Sequence, residues 1–202
     1  MKKKHAANRP VFLDGPQIYL TPLEECDTPV LTKWINHPDA RTFLAARYPM
    51  QTHQESDWIK NTSSDSRVTL MIMFKSIDSE DVPIGTIDAI KINHIHGTCE
   101  TGANIGEKEY RGKGLGTEAK MIFLNHLFNW LNMRKVCSEA YATNKASQAY
   151  SKKCGYIEEG VLKEHIYHNG TYIDMVQLAV FKEDFKPFWD TFITEHPNLN
   201  LS

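Results

Sequence analysis

The chain is predicted to fold as one α/β (α+β) domain, and three observations carry that prediction. Seven β-rich runs are interleaved with helical patterns along its 202 residues. The stretch Tyr110-Arg111-Gly112-Lys113-Gly114-Leu115-Gly116-Thr117-Glu118 opens directly into an amphipathic run. Near the end, Asn169-Gly170 separates two β-rich runs, which is the strongest short-range signal for a hairpin.

Taken in order, residues 1–16 read as a tail with three lysines, two prolines and a Gly15-Pro16 turn. The domain spans 17–182, and 183–202 form an amphipathic extension. Ile18–Leu20 is a short strand. Glu24–Asn36 is helical, with Val30, Leu31 and Trp34 on one face, and stops at His37-Pro38. Gln54–Lys60 is a second helix, and Arg41–Met50 between them has no period and reads as a substrate-side loop. Val68–Phe74, Ile84–Ile92 and Thr98–Ile105 are strands.

After the glycines, Ala119, Ile122, Phe123, His126, Leu127 and Trp130 form one helical stripe facing a sheet. Val136–Tyr141 is the next strand. Asn144 is placed to cap a helix that runs to about Lys153, with Gly155 just past its end. Ile157–Tyr167 and Tyr172–Phe181 flank the Asn-Gly turn. The extension puts Phe185, Phe188, Trp189, Phe192 and Ile193 on one face, for packing on the domain or for a dimer contact.

Composition bounds the function. The chain is 41% hydrophobic and 24% charged, with net charge -2, which argues against a nucleic-acid surface. No apolar run approaches the ~20 residues of a membrane span, and Met1-Lys2-Lys3-Lys4 lacks a signal peptide's apolar stretch. Cys26, Cys99, Cys137 and Cys154 are widely spaced, so reduced thiols in a cytoplasmic protein are expected, without zinc or a disulfide framework.

The glycine stretch names a ligand class. Three alternate glycines leave backbone N–H groups free to point at one anion. The following helix adds its unpaired N–H groups and roughly half a positive charge. Such a constellation binds a pyrophosphate. The spacing does not match a dinucleotide-binding G-x-G-x-x-G, nor a G-x-x-x-x-G-K-[ST] loop.

Arg111-Gly112-Lys113-Gly114-Leu115-Gly116 resembles the [RQ]-x-x-G-x-[GA] motif of the GNAT acetyltransferases. Asn144 with Ser147, then Lys153-Cys154-Gly155-Tyr156, is similar to that family's second signature. Ala103-Asn104-Ile105-Gly106 resembles its fourth strand. Gly160-Val161-Leu162, His168–Tyr172 and Asp174 resemble the closing hairpin of the RimJ/RimL-type branch. Asn93-His94-Ile95-His96 resembles a turn of spermidine acetyltransferases.

The resemblance implies a mixed, mostly antiparallel sheet of about seven strands, the fourth and fifth splayed apart. It implies acetyl-coenzyme A as cofactor and a primary amine as acceptor, joined in a ternary complex without an acyl-enzyme. Arg111, Gly112, Lys113, Gly114, Leu115, Gly116 and Thr117 would hold the pyrophosphate. Asn104, Ile105 and Gly106 would lie beside the thioester, and Asn144 would bond the pantetheine arm. Glu100 is the candidate base, with Glu139 the weaker one. Many members place a tyrosine seven residues after the asparagine as general acid; here that position is Ser151, a candidate to donate a hydrogen bond to the leaving sulfur directly or through water. Tyr150, turned about 100° away on the helix, does not simply replace the tyrosine.

The acceptor stays open between a protein N-terminus, a polyamine and an amino sugar or aminoglycoside. His165, His168, Tyr172 and Asp174 could border its pocket. His94 and His96 share a strand face but lack further metal ligands. Cys137 and Cys154 read as structural. A monomer or homodimer is expected, with no metal, nucleic acid or membrane. The rival reading is a non-catalytic acetyl-coenzyme A sensor or interaction protein.

Overall fold

The β-rich runs pair into one sheet in the computed structural model, which describes residues 9–43 and 48–199. Its strands are β1 (Leu13–Asp14), β2 (Ile18–Pro22), β3 (Ser63–Ser64), β4 (Arg67–Phe74), β5 (Val82–Asn93), β6 (Thr98–Ile105), β7 (Lys135–Tyr141), β8 (Ile157–His168) and β9 (Thr171–Phe181). The helices are α1 (Thr28–Asn36), α2 (Pro38–Phe43), α3 (Thr52–Lys60), α4 (Leu115–Asn129), α5 (Lys145–Lys153) and α6 (Lys182–Glu195). Strand order is β1-β2-β4-β5-β6-β7-β9-β8, with β3 paired to β4. The β6–β7 pairing is parallel and the others are antiparallel. The seven longer strands are the seven runs of the sequence; β1 and β3 are two-residue additions at one side.

Each face of the sheet has its own core. Successive strand residues point to opposite faces. In β4, Leu70 and Ile72 join the core under α4, while Met71 and Met73 meet Leu31, Trp34 and Ile59 from α1 and α3. Covering both faces explains why β4 reads as a continuous apolar run. Helix α4 is the centre of the larger core, with Phe123, Leu124, Leu127 and Phe128 fully buried, and Phe185 of α6 closes it. The burial extends beyond a single stripe: Leu115, Lys120, Met121 and Leu124 are inside too. Trp130, expected on that stripe, caps the helix end and is 70% exposed.

Local signals set the ends of the elements. Asn144 Oδ1 accepts the Ser147 N–H at 3.0 Å and starts α5. Gly155, at φ +88°, leaves it. Asn169 and Gly170, at φ +49° and +86°, turn β8 into β9 as His168 pairs with Thr171. Pro38 starts α2, so the first residues of the expected 41–50 loop are helical, and 44–47 lie outside the described residues. Within the expected tail, Arg9 pairs with Asp27, and Leu13 and Asp14 pair with Leu20 and Tyr19.

One buried acid ties the first long strand to α4. Glu118, in the first turn of α4, accepts the N–H groups of Gln17 (2.7 Å) and Ile18 (2.9 Å). Without it those two donors would have no partner inside the fold, and a buried unsatisfied N–H costs about 1–3 kcal/mol. Glu118→Ala is expected to lower unfolding stability by about 2–4 kcal/mol in chemical denaturation; a loss below about 0.5 kcal/mol would show that water satisfies both groups.

Candidate active site

The sheet comes apart between its two parallel strands. β6 and β7 pair at Thr98–Lys135, Cys99–Val136 and Glu100–Cys137, and no further, although β6 runs on to Ile105 and β7 to Tyr141. Side chains take over at the next residue. Ser138 Oγ donates to Thr101 O at 3.0 Å, and Thr101 Oγ1 donates to Cys137 O at 3.2 Å. The Thr101 hydroxyl has one proton and two lone pairs. With its proton given to Cys137, it accepts from Lys120 Nζ (2.8 Å) and from Tyr156 OH (2.7 Å). Polar side chains of α4 and of the segment after α5 therefore sit beneath the point of parting.

The glycine cradle follows β6. Gly106 lies against the Trp34 ring; a Cβ there would fall 2.2 Å from ring carbon Cδ2. Gly106 and Glu107 both donate their N–H groups to Ile84 O. The Glu107 carboxylate accepts from Trp34 Nε1 (2.9 Å) and Lys33 Nζ (2.7 Å). Burial would raise its pKa, but these partners bring it below the ordinary value. The Arg111 guanidinium turns back to Ile105 O (2.8 Å) and Gly106 O (3.2 Å) and faces Asp39 at 3.4 Å. Arg111 thus braces the strand end.

Gly112 and Gly114 adopt φ +74° and +84°, which only glycine takes readily, and nothing lies within 4 Å of a Cβ built on either. The concavity is open space bounded by backbone. The first intrahelical bond of α4 is Glu118 N–H to Gly114 O at 3.0 Å. The N–H groups of Leu115, Gly116 and Thr117 precede it and face out of the helix end. Lys113 is exposed, its Nζ 5.5 Å over the Tyr110 ring. Backbone donors, a helix N-terminus and one free cation suit a pyrophosphate.

Carboxylates gather on the face opposite α4. Glu100 accepts from Lys91 Nζ at 2.8 Å; Lys91 sits at φ +52° where β5 slips register against β6. Asp88 pairs in register with Gly102, and its Oδ1 accepts the Gly102 N–H at 2.9 Å. A Cβ on Gly102 would fall 2.7 Å from that oxygen, so the glycine makes room for the carboxylate. Burial raises the Asp88 pKa, with Lys120 and the Gly102 N–H opposing. Glu139 is exposed on β7, two residues beyond Cys137, the partner of Glu100. Asp88 was invisible in the sequence, where it reads as the polar member of an alternating strand. Its place opposite a glycine appears only with the register.

The remaining candidates separate. Asn104 is half-buried on β6 opposite Thr86, and Ile105 packs on the α4 core. Ser151 is fully buried with its Oγ unpartnered, whereas the Tyr150 ring lies 5.6 Å from Lys120 Nζ. His94 and His96 are exposed in the β5–β6 turn. Among the described residues no three His, Cys, Asp or Glu side chains gather as a metal site. Asp174 accepts from Lys163 Nζ and the Glu164 N–H, both at 2.9 Å, and fixes the irregular stretch of β8. Those bonds hold its pKa below the usual carboxylate value. Tyr172 is exposed against Tyr167, and the His168 ring meets Tyr141. His165 is exposed on β8. Burial pushes the Cys99 and Cys154 thiols up to about 12, far from nucleophiles, and raises Cys137 as well.

A family model, the acetyltransferase (GNAT) domain, matches residues 17–157. The chain belongs to this family. It is 27% identical over 109 residues to a spermidine N(1)-acetyltransferase of Escherichia coli, covering 54% of this chain. It spans 58% of that relative's length. Among solved structures it is similar to a spermidine N-acetyltransferase from Vibrio cholerae in complex with CoA and spermine, with TM-score 0.75, 23% identity and 84% and 98% of the two chains covered. It is also similar to RimL, a ribosomal L7/L12 α-N-protein acetyltransferase in complex with coenzyme A, with TM-score 0.75, 17% identity and 85% and 98% covered.

GNAT enzymes use acetyl-coenzyme A, and the open cradle of Gly112 and Gly114 at the α4 N-terminus fits its pyrophosphate. No helix among the described residues is long and apolar enough to cross a membrane. Gly114→Asp would set a carboxylate where a diphosphate held by this cradle would sit. Calorimetry is expected to show coenzyme A affinity reduced at least about a hundredfold, with the far-ultraviolet spectrum retained. Affinity within about threefold of wild type would move the diphosphate elsewhere.

Proposed function

We propose that this GNAT enzyme acetylates a primary amine carrying more than one positive charge, by direct attack in a ternary complex. The observation that carries the reading is the parting of β6 and β7, with an open glycine concavity after β6 and Asp88, Glu100 and Glu139 on the face opposite α4. When bound, acetyl-coenzyme A supplies the acetyl group as an activated thioester. Gly112 to Thr117 would hold its diphosphate, Asn144 and the backbone of Asn104, Ile105 and Gly106 its arm.

A polyamine is the acceptor this site suits best. An alkylammonium of pKa ~10.4 must lose a proton before it can attack. Three carboxylates share that face with two cations, Lys91 on Glu100 and Arg67 acting on Asp88, and together offer a cationic amine both charge and a base. Of these, Glu100 is already engaged by Lys91, so it acts mainly through its charge. Asp88 is the better proton acceptor, because burial raises its pKa toward that of its donor. The E. coli relative, named for spermidine, supports the same class. Tyr150, beside Lys120, is better placed than the enclosed Ser151 to protonate the departing sulfur.

The test is thiol release from acetyl-coenzyme A with spermidine, an N-terminal peptide and an aminoglycoside. Turnover with spermidine is expected to exceed the others; release with none of the amines would favour the non-catalytic sensor. A base must be deprotonated to work, so a raised pKa moves the acid limb of the rate profile up, above the ~3.9 of a free aspartate. Asp88→Asn is expected to cost about a hundredfold or more in kcat and to remove that limb, while Glu100→Gln raises KM for the amine. The opposite assignment of effects would make Glu100 the base.

A further inference from the structure

Lys120 takes no part in the proposed transfer, yet with Phe123 and Phe128 it is one of the largest side chains buried completely among the described residues. It sits mid-way along the first half of α4 and points at the sheet. Its ammonium has one hydrogen bond, to Thr101 Oγ1 at 2.8 Å, and makes no ion pair among the described residues. The rings of Tyr150 and Tyr156 lie 5.6 and 5.5 Å away. An ammonium enclosed this way is costly to keep, by several kcal/mol after relaxation, unless an anion meets it. Replacing such a residue by an apolar one of like size is often neutral or stabilising. A structural role therefore does not explain it.

Its position does. Thr101 is the first residue beyond the last β6–β7 pair, so Lys120 lies directly under the apex of the gap. We propose that Lys120 is a positioning residue whose buried positive charge stabilises the coenzyme A thiolate as it leaves. The inference rests on the acyl donor lying in the gap, as proposed above. In the transfer the amine nitrogen bonds to the acetyl carbon and the carbon–sulfur bond breaks. The electron pair stays on sulfur, and the amine's proton passes to the carboxylate face. Negative charge then appears at the apex, on the side away from Asp88, Glu100 and Glu139. The two rings hold the ammonium in place, and Tyr150 can pass a proton to the sulfur once charge has formed.

Other groups around Lys120 are accounted for. From β6 comes Cys99, and from the α5 end come Tyr150, Cys154 and Tyr156; burial raises the two thiols and Tyr156, so each stays neutral. From β5, across the sheet, Asp88 feels the Lys120 charge, and its own burial disfavours ionisation. Arg67 also acts on Asp88 and Lys153 on Cys154, while Lys120 is the cation hydrogen-bonded to Thr101.

The experiment titrates the thiol of bound coenzyme A by ultraviolet thiolate absorbance, with the complex of desulfo-coenzyme A as blank. Calorimetry compares the affinities of the two ligands. In the wild type the bound thiol is expected to titrate about one unit or more below the ~8.5 of a free alkyl thiol. In Lys120→Met it is expected to return to that value or rise above it, with desulfo-coenzyme A affinity unchanged within about twofold. Lys120→Arg is expected to keep the lowered value. An ordinary thiol titration in the wild type overturns the proposal without needing any variant, and so does an equal loss of both affinities in Lys120→Met, which marks a structural role. Failure of either ligand to bind the wild type instead sinks the cofactor placement on which the proposal rests.

Discussion

The Thr101 hydroxyl is the contact on which the site depends. A parallel pair of strands would normally continue to zip for as long as both remain extended, and β6 and β7 have four or more further residues with which to do so. At Thr101 the backbone ladder is replaced by side-chain bonds, to Cys137 O from one side and from Ser138 Oγ on the other. Lys120 and Tyr156 fill the acceptor sites of the same hydroxyl from below. The result is a gap with a defined apex, backed by α4. Every other feature of the site takes its position from it: the cradle follows from where β6 ends, and Asn144 from where β7 ends.

The gap also separates charge. The α4 side holds Lys120, the exposed Lys113 and the positive end of a helix. The opposite side holds Asp88, Glu100 and Glu139, with Lys91 paired to Glu100 and Arg67 acting on Asp88. Helices α1 and α3 cover β2 and β4 on that side, leaving Gly102 and Glu139 exposed. Under the proposed function, a polyanionic acyl donor and a cationic acceptor would be drawn to opposite sides of one opening. The acetyl group is the part that both must reach. In the proposed transfer the two products would have distinct surroundings, a proton among carboxylates and a thiolate above a buried cation.

How much of this was legible in the sequence follows from the range of the interactions. The cradle, the Asn144 cap, the Gly155 exit and the Asn169-Gly170 turn are decided within a few residues, and each is where the pattern put it. Asp88 and Lys120 stay hidden in the sequence for one reason: their neighbours lie on other elements. Asp88 needs the β5–β6 register to meet Gly102. Lys120 in a sequence is the polar side of an amphipathic helix, until α4 proves to be buried on several faces. Counting seven residues from Asn144 led to Ser151, but α5 turns that residue into the core and its neighbour Tyr150 toward Lys120. Trp130 failed the other way, since the helix ends before the stripe does.

The central claim is that the unpaired edges of β6 and β7 are a binding groove and not merely the end of a ladder. Hydrogen–deuterium exchange with and without coenzyme A measures this directly. The account predicts that, within 101–106 and 138–142, the amides not bonded to β5, β9 or a side chain exchange readily in the free protein and become protected with the cofactor. Segment 112–117 is expected to follow them, while β4, paired on both sides, stays unchanged. Protection confined to 112–117, or absent from both strand edges, would contradict it.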